Sequence, residues 1–166
     1  DIYYANRNGA VVFLNKTGKS VVLFEKKSLE IYQVKVISGF IFFSGSDGSL
    51  YKMNKDGKNL VVYNLGVKYA WDFTSAPDGE ILIAAGSPAK ILSMDKKGTV
   101  TSLFSSEQET HFTRIYDLNG KYYFVSSGMG AVYEMDRKGK VTLLYDTFED
   151  EVSCLTADLT GNIYFV

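Results

Sequence analysis

Short apolar runs alternate with polar gaps along the whole chain, and the gaps follow one formula. Four of them are turns that close on glycine: Asn15-Lys16-Thr17-Gly18, Asn54-Lys55-Asp56-Gly57, Asp95-Lys96-Lys97-Gly98 and Asp136-Arg137-Lys138-Gly139, with glycines 39, 41 and 41 residues apart. A period near forty that holds only strand-type signals predicts an all-β repeat protein, a β-propeller of four-stranded antiparallel blades. No segment keeps an apolar 3.6-residue period for three turns, and residues 104–113 come nearest with too few apolar positions.

Superposing the repeats gives four strand positions per unit. First strands are predicted at Ile31 to Ile37, Ala70 to Ser75, Phe112 to Asp117 and Val152 to Ala157. Second strands fall at Ile2 to Ala5, Phe40 to Phe43, Ile81 to Ala84, Tyr122 to Val125 and Ile163 to Val166. Their near-continuous apolarity predicts cover on both faces, as where blades stack. Third strands follow at Val11 to Leu14, Leu50 to Met53, Ile91 to Met94 and Val132 to Met135. Fourth strands are placed at Val21 to Phe24, Leu60 to Tyr63, Val100 to Phe104 and Val141 to Tyr145. The turn glycines are expected at positive φ, where only glycine is free of strain.

About four blades are present, read as a single domain over 1–166 because no linker or shift of composition interrupts the repeat. The chain begins and ends on a second strand, and two second strands would compete for one slot in a closed four-bladed ring. That phase favours part of a six- to eight-bladed ring, with a closed four-bladed ring or a ring completed by a second copy as alternatives. An open terminal blade would expose an apolar face and favour self-association. The chain opens without Met, as a processed or excised fragment does.

The segment Val132-Tyr133-Glu134-Met135-Asp136-Arg137-Lys138-Gly139-Lys140-Val141, followed by residues 151–166, resembles the NHL and WD40-like bacterial propeller repeats. Asp158-Leu159-Thr160-Gly161-Asn162-Ile163-Tyr164 is similar to the blade ending of those families, and so is Ala76-Pro77-Asp78-Gly79-Glu80-Ile81-Leu82. The resemblance spans the chain and implies the fold. Its members range over enzymes, sensors and protein-binding platforms, so it implies no single function. Trp71-Asp72 occurs once, away from the position of the Trp-Asp mark in WD40 repeats.

Composition narrows the partners. With 46% hydrophobic residues and a net charge of -1, the chain reads as a packed globular protein without the basic stripe that phosphate backbones require. Nucleic acid is therefore a poor partner, and no apolar run reaches the length of a membrane span. P-loop, His-Glu-x-x-His, Cys-x-x-Cys and Gly-x-Ser-x-Gly motifs are lacking. His111 is the only histidine and is expected in a solvated loop entrance. Cys154, the only cysteine, is expected as a buried, inert thiol in an apolar strand.

One column carries chemistry. The residues just before the first-strand hydrophobes Val34, Phe73, Ile115 and Leu155 are Gln33, Asp72, Arg114 and Cys154. First strands are innermost in a propeller, so these side chains would converge on the axis, and Asp72 with Arg114 would form an interblade ion pair or part of a channel-mouth site. Loop-end candidates are Arg7, Asp47, Tyr69, Trp71, His111, Phe112 and Glu151. The site is expected on the loops Asn6 to Gly9, Ser44 to Gly48, Ala85 to Ala89 and Ser126 to Gly130, which vary while the opposite turns repeat. The favoured function is a non-catalytic binding, scaffold or sensor module for a protein, peptide or glycan, with no cofactor. The alternative is a metal-dependent lactonase or gluconolactonase-like hydrolase, whose resembling propellers hold a divalent cation on Glu, Asn and Asp. Gln33 and Arg114 beside the lone acid Asp72 disfavour that cation.

Overall fold

The computed structural model describes residues 2–6, 8–158 and 160–166, and among them every regular element is a β-strand. The chain divides into two compact units, Asp1–Ala70 and Trp71–Val166.

The first unit holds two antiparallel sheets. One is β1 (Ile2–Ala5), β2 (Ala10–Leu14) and β3 (Ser20–Glu25); the other is β4 (Ile31–Ile37), β5 (Phe40–Gly45), β6 (Ser49–Asn54) and β7 (Val61–Asn64). Their shared core contains Val11, Leu29, Ile41, Phe43, Tyr51 and Met53. Phe24 leaves β3 to pack on Phe43 at 4.8 Å and Tyr51 at 5.7 Å between ring centres, while Phe43 and Tyr51 stack at 4.7 Å. Each fully buried aromatic of this kind contributes about 2–3 kcal/mol of transfer free energy.

β8 (Tyr69–Ser75) crosses into the second unit. There β8, β9 (Ile81–Gly86), β10 (Lys90–Met94) and β11 (Val100–Ser105) form one blade, and β12 (His111–Leu118), β13 (Lys121–Ser127), β14 (Ala131–Asp136) and β15 (Val141–Asp146) form the next. A single residue pair, His111 with Gly86, joins them into one eight-stranded sheet. β16 (Leu155–Ala157) and β17 (Ile163–Phe165) pair with each other. Phe104 of β11 repeats the role of Phe24, lying 5.7 Å from Phe112 and 6.0 Å from Phe124, and Phe124 stacks on Tyr133 at 5.2 Å.

The strand expectations hold to within a residue or two, except that the last first strand begins at Leu155 rather than Val152. β5 and β9 are buried almost throughout, as continuous apolarity predicts, whereas β1 and β17 are partly exposed because their sheets hold fewer strands. Gly18, Gly57, Gly98 and Gly139 have φ of 82°, 81°, 90° and 84°, so the turn formula is set by backbone conformation. In three of these turns the leading Asn or Asp also bonds the amides two and four residues on, as Asp95 does to Lys97 and Thr99, both at 2.8 Å.

Register shifts mark β-bulges that periodicity did not reveal. Two lie in first strands, where Tyr32 and Thr113 are the extra residues. Three lie in fourth strands, at Leu23, Leu103 and Leu144. A bulge re-aims the side chains that follow it. Those in β4 and β12 sit just before Gln33 and Arg114, within the candidate column.

Candidate ligand-binding site

In every complete blade the turns joining first to second and third to fourth strands lie at one end, and the variable loops lie at the other. At the loop end of the second unit, backbone bonds tie successive loops together. Ser87 N donates to Thr110 O at 3.1 Å, Thr110 N to Ser127 O at 2.8 Å, and Gly128 N to Asp150 O at 2.8 Å. Glu109 is buried and locks the loop after β13 from beneath. Its Oε2 accepts from Met129 N at 2.9 Å and its Oε1 from the Tyr133 hydroxyl at 2.6 Å. Burial, and then this bond to Glu109, push the Tyr133 phenol well above its ordinary range.

Trp71 and His111 share this end. Their rings meet edge to face at 5.4 Å, both half-buried, over Gly86. A β-carbon on Gly86 would stand 1.9 Å from His111 Nδ1 and 2.7 Å from Trp71 Nε1, so both rings fill the space that glycine leaves. By strand register Gly86 corresponds to Ser46 and Ser127, and this break in the repeat was the available signal for a residue not singled out in the sequence. His111 is thus an ordered strand residue rather than the solvated loop residue expected.

The column preceding the first-strand hydrophobes is engaged by backbone. Asp72 is 3% exposed; its Oδ1 accepts from Phe73 N at 2.8 Å and its Oδ2 from Ile115 N at 3.1 Å, so it spans from β8 to the free edge of β12. Gln33 Oε1 makes the corresponding bond to Val34 N at 3.2 Å. Asp72 thus reaches the next blade through the Ile115 amide, one residue beyond Arg114. The Arg114 guanidinium donates instead to Thr113 O at 2.7 Å.

The other candidates separate into different surroundings. Phe112 is fully buried in the aromatic core, so its place is packing. Glu151 is exposed and bridges Ser127. In the first unit Asp47 accepts from Lys26 Nζ at 2.9 Å and from the Tyr51 hydroxyl at 2.5 Å. Burial alone would raise the Asp47 carboxyl, but the bonds from Tyr51 and Lys26 outweigh it and hold it below the usual carboxylate range. Tyr69 is half-buried with Lys68 Nζ 5.0 Å from its ring centre. Arg7 lies outside the described residues. Cys154, expected to be buried, is exposed, because the two-stranded β16–β17 sheet leaves that side of the segment uncovered.

Two clefts bear on where a ligand would sit. One of about 540 Å³ opens beside Ala5, Asn6, Glu30, Ile31 and Tyr32 in the first unit, at the loop end. Another of about 450 Å³ lies at the turn end of the second unit, beside Asp78, Glu80, Tyr122 and Arg137. There Arg137 already pairs with Asp117 at 2.7 Å and lies 4.1 Å from the centre of the Tyr122 ring. Among the described residues no group of three or more His, Cys, Asp or Glu side chains is arranged to hold a metal ion.

No protein-family model matches the chain, and no curated protein matches it in sequence. Solved structures do match. A streptogramin B lyase aligns over 99% of this chain and 57% of its own, with 18% identity and a TM-score of 0.84. Virginiamycin B lyase from Staphylococcus aureus aligns over 99% of this chain and 58% of its own, at 14% identity and a TM-score of 0.87. A chain of a nidogen–laminin complex aligns over 98% of this chain and 66% of its own, at 13% identity and 0.81. The chain therefore spans less than two thirds of the length of each of these proteins. Identities this low carry the fold alone, and that fold is the β-propeller.

Proposed function

We propose that residues 1–166 form consecutive blades of one propeller of the NHL or WD40-like kind, and that its loop end binds a ligand without transforming it. One observation carries the reading. Trp71 and His111 form an aromatic pair seated on Gly86, beside loops held in place by the Ser87–Thr110–Ser127 bonds and the Glu109 lock. A surface ordered before binding spends little free energy on ordering, and aromatic side chains supply contact area with few rotatable bonds.

Two buried acidic groups at this end support binding over catalysis. Glu109 and Asp72 each accept two hydrogen bonds from the protein itself, which leaves them poorly placed to take a proton from a substrate. Neighbours in fold include both a virginiamycin B lyase and a chain of a nidogen–laminin complex, so both outcomes need testing.

The test is to probe glycan and peptide arrays with the protein and with Trp71→Ala and His111→Ala variants, and to incubate it with simple lactones and with quinupristin, the compound crystallised with a catalytically inactive virginiamycin B lyase of this fold, under mass-spectrometric detection. Captured ligands that both variants lose, with no turnover, support the proposal. Conversion of quinupristin or a lactone overturns it, as does capture unaffected by either substitution.

A further inference from the structure

Arg114 is half-buried on β12 with its charge uncommitted. It makes one hydrogen bond, from Nη1 to Thr113 O at 2.7 Å, and none of the ion pairs among the described residues includes it. The other described arginine, Arg137, pairs with Asp117. Asp72, which holds the same column position in the preceding blade, directs its carboxylate onto Phe73 N and Ile115 N. A partly desolvated guanidinium normally finds an anion, because removing charge from water without a partner is costly.

The strand holds this guanidinium in place. Thr113 is the extra residue of the β12 bulge, and its Oγ1 donates to Val152 O at 2.8 Å. The carbonyl that orients Arg114 therefore belongs to a residue pinned on both sides. A bulge at this point re-aims the side chain after it, and one fixed N–H leaves the rest of the fork to meet a planar acceptor.

We infer that Arg114 anchors the carboxylate of an acidic sugar, a uronate, within the ligand; the inference rests on the binding reading above. A single positive charge matches a monoanion, whereas a phosphate dianion would call for further cations, and the neighbouring loops carry Glu109, Glu149, Asp150 and Glu151 instead. A peptide joining as an extra strand would need the free edge of β12, where Asp72 already occupies Ile115 N. Trp71 stands one residue before Asp72 on β8 and meets His111 of β12 edge to face at 5.4 Å, so an indole lies on the same pair of strands that Asp72 bridges to Ile115, and tryptophan is a side chain suited to contact with a sugar ring.

Trp71 is the only tryptophan, so its fluorescence reports on the loop end of β8 and β12, where its ring meets His111. The experiment titrates sodium glucuronate, glucose and N-acetylglutamate into the protein and its Arg114→Gln and Arg114→Lys variants, with melting temperatures recorded on the same samples. Expected are a saturable response to glucuronate, a far weaker one to glucose, a loss of at least about tenfold in affinity in Arg114→Gln and a partial loss in Arg114→Lys, with melting temperatures little changed. Equal responses to glucuronate and glucose overturn the anionic anchor while leaving the binding module standing. N-acetylglutamate bound in preference overturns the sugar assignment. Equal glucuronate affinity in Arg114→Gln and the parent protein, or no response to glucuronate at all, overturns the inference itself.

Discussion

Substituting Gly86 with alanine tests whether the Trp71–His111 pair is built around that glycine. The new methyl would stand 1.9 Å from His111 Nδ1, and ordinary contact needs about 3.5 Å or more, so the imidazole must retreat by roughly 1.5 Å. Retreat disturbs the His111–Gly86 pair that joins β9 to β12 and opens the edge contact with Trp71. Overpacking of this kind costs about 1–3 kcal/mol, and the aromatic contact adds about 0.5–1 kcal/mol. A total near 2–3 kcal/mol corresponds to a fall in melting temperature of about 4–12 °C for a chain of this size. Denaturant unfolding followed by Trp71 fluorescence and by circular dichroism measures it. His111→Ala in the Gly86→Ala background should recover most of the loss, a coupling of about 1–2 kcal/mol, with a remainder from the approach to Trp71. A neutral Gly86→Ala, or two costs that simply add, would refute the reasoning.

Other substitutions separate further parts of the account. Gly139→Ala should cost about 1 kcal/mol by chemical denaturation from its φ of 84° alone, since a β-carbon there meets nothing within 4 Å. Asp72→Ala should cost about 2–4 kcal/mol, because it strands the buried Phe73 and Ile115 amides, and Asp72→Asn should cost less. Tyr133→Phe should destabilise by about 1.5–3 kcal/mol, clearly more than Tyr51→Phe, because Glu109 is buried while Asp47 keeps Lys26. The carboxyls of Asp158, Asp136, Asp95 and Glu134 are held low by hydrogen bonds, first among them those from Thr160, Lys140, Thr99 and Lys121. Groups depressed in the folded state stabilise fully above their unfolded range and lose that effect as pH falls, so stability should drop below about pH 4. Asp158→Asn should flatten that drop in melts recorded across the acid range.

Much of the fold was legible because it rests on local rules. Turn glycines need positive φ, and the leading Asn or Asp bonds nearby amides, so the period could be read directly from residues such as Asp95 and Gly98. The candidate site was legible only in its members. Trp71, His111 and Arg114 stood out as residue types, but their environments depend on contacts distant in sequence. The clash that makes Gly86 necessary comes from His111, and the acceptor that occupies Ile115 N comes from Asp72. Phe112 reads as a loop-end aromatic from its position and packs in the core because Phe104 arrives from the preceding blade. The bulges at Tyr32 and Thr113 leave no trace in periodicity, since one extra residue falls within ordinary strand-length variation.

The central claim is that ligand meets the loop end of the blades, and hydrogen–deuterium exchange of the protein with an array-captured ligand tests it most directly. The account predicts protection concentrated in residues 69–72, 85–89, 109–114 and 126–130, with the turns at 76–80 and 136–139 unchanged. Protection confined to those turns, beside the cleft lined by Asp78, Tyr122 and Arg137, would contradict it.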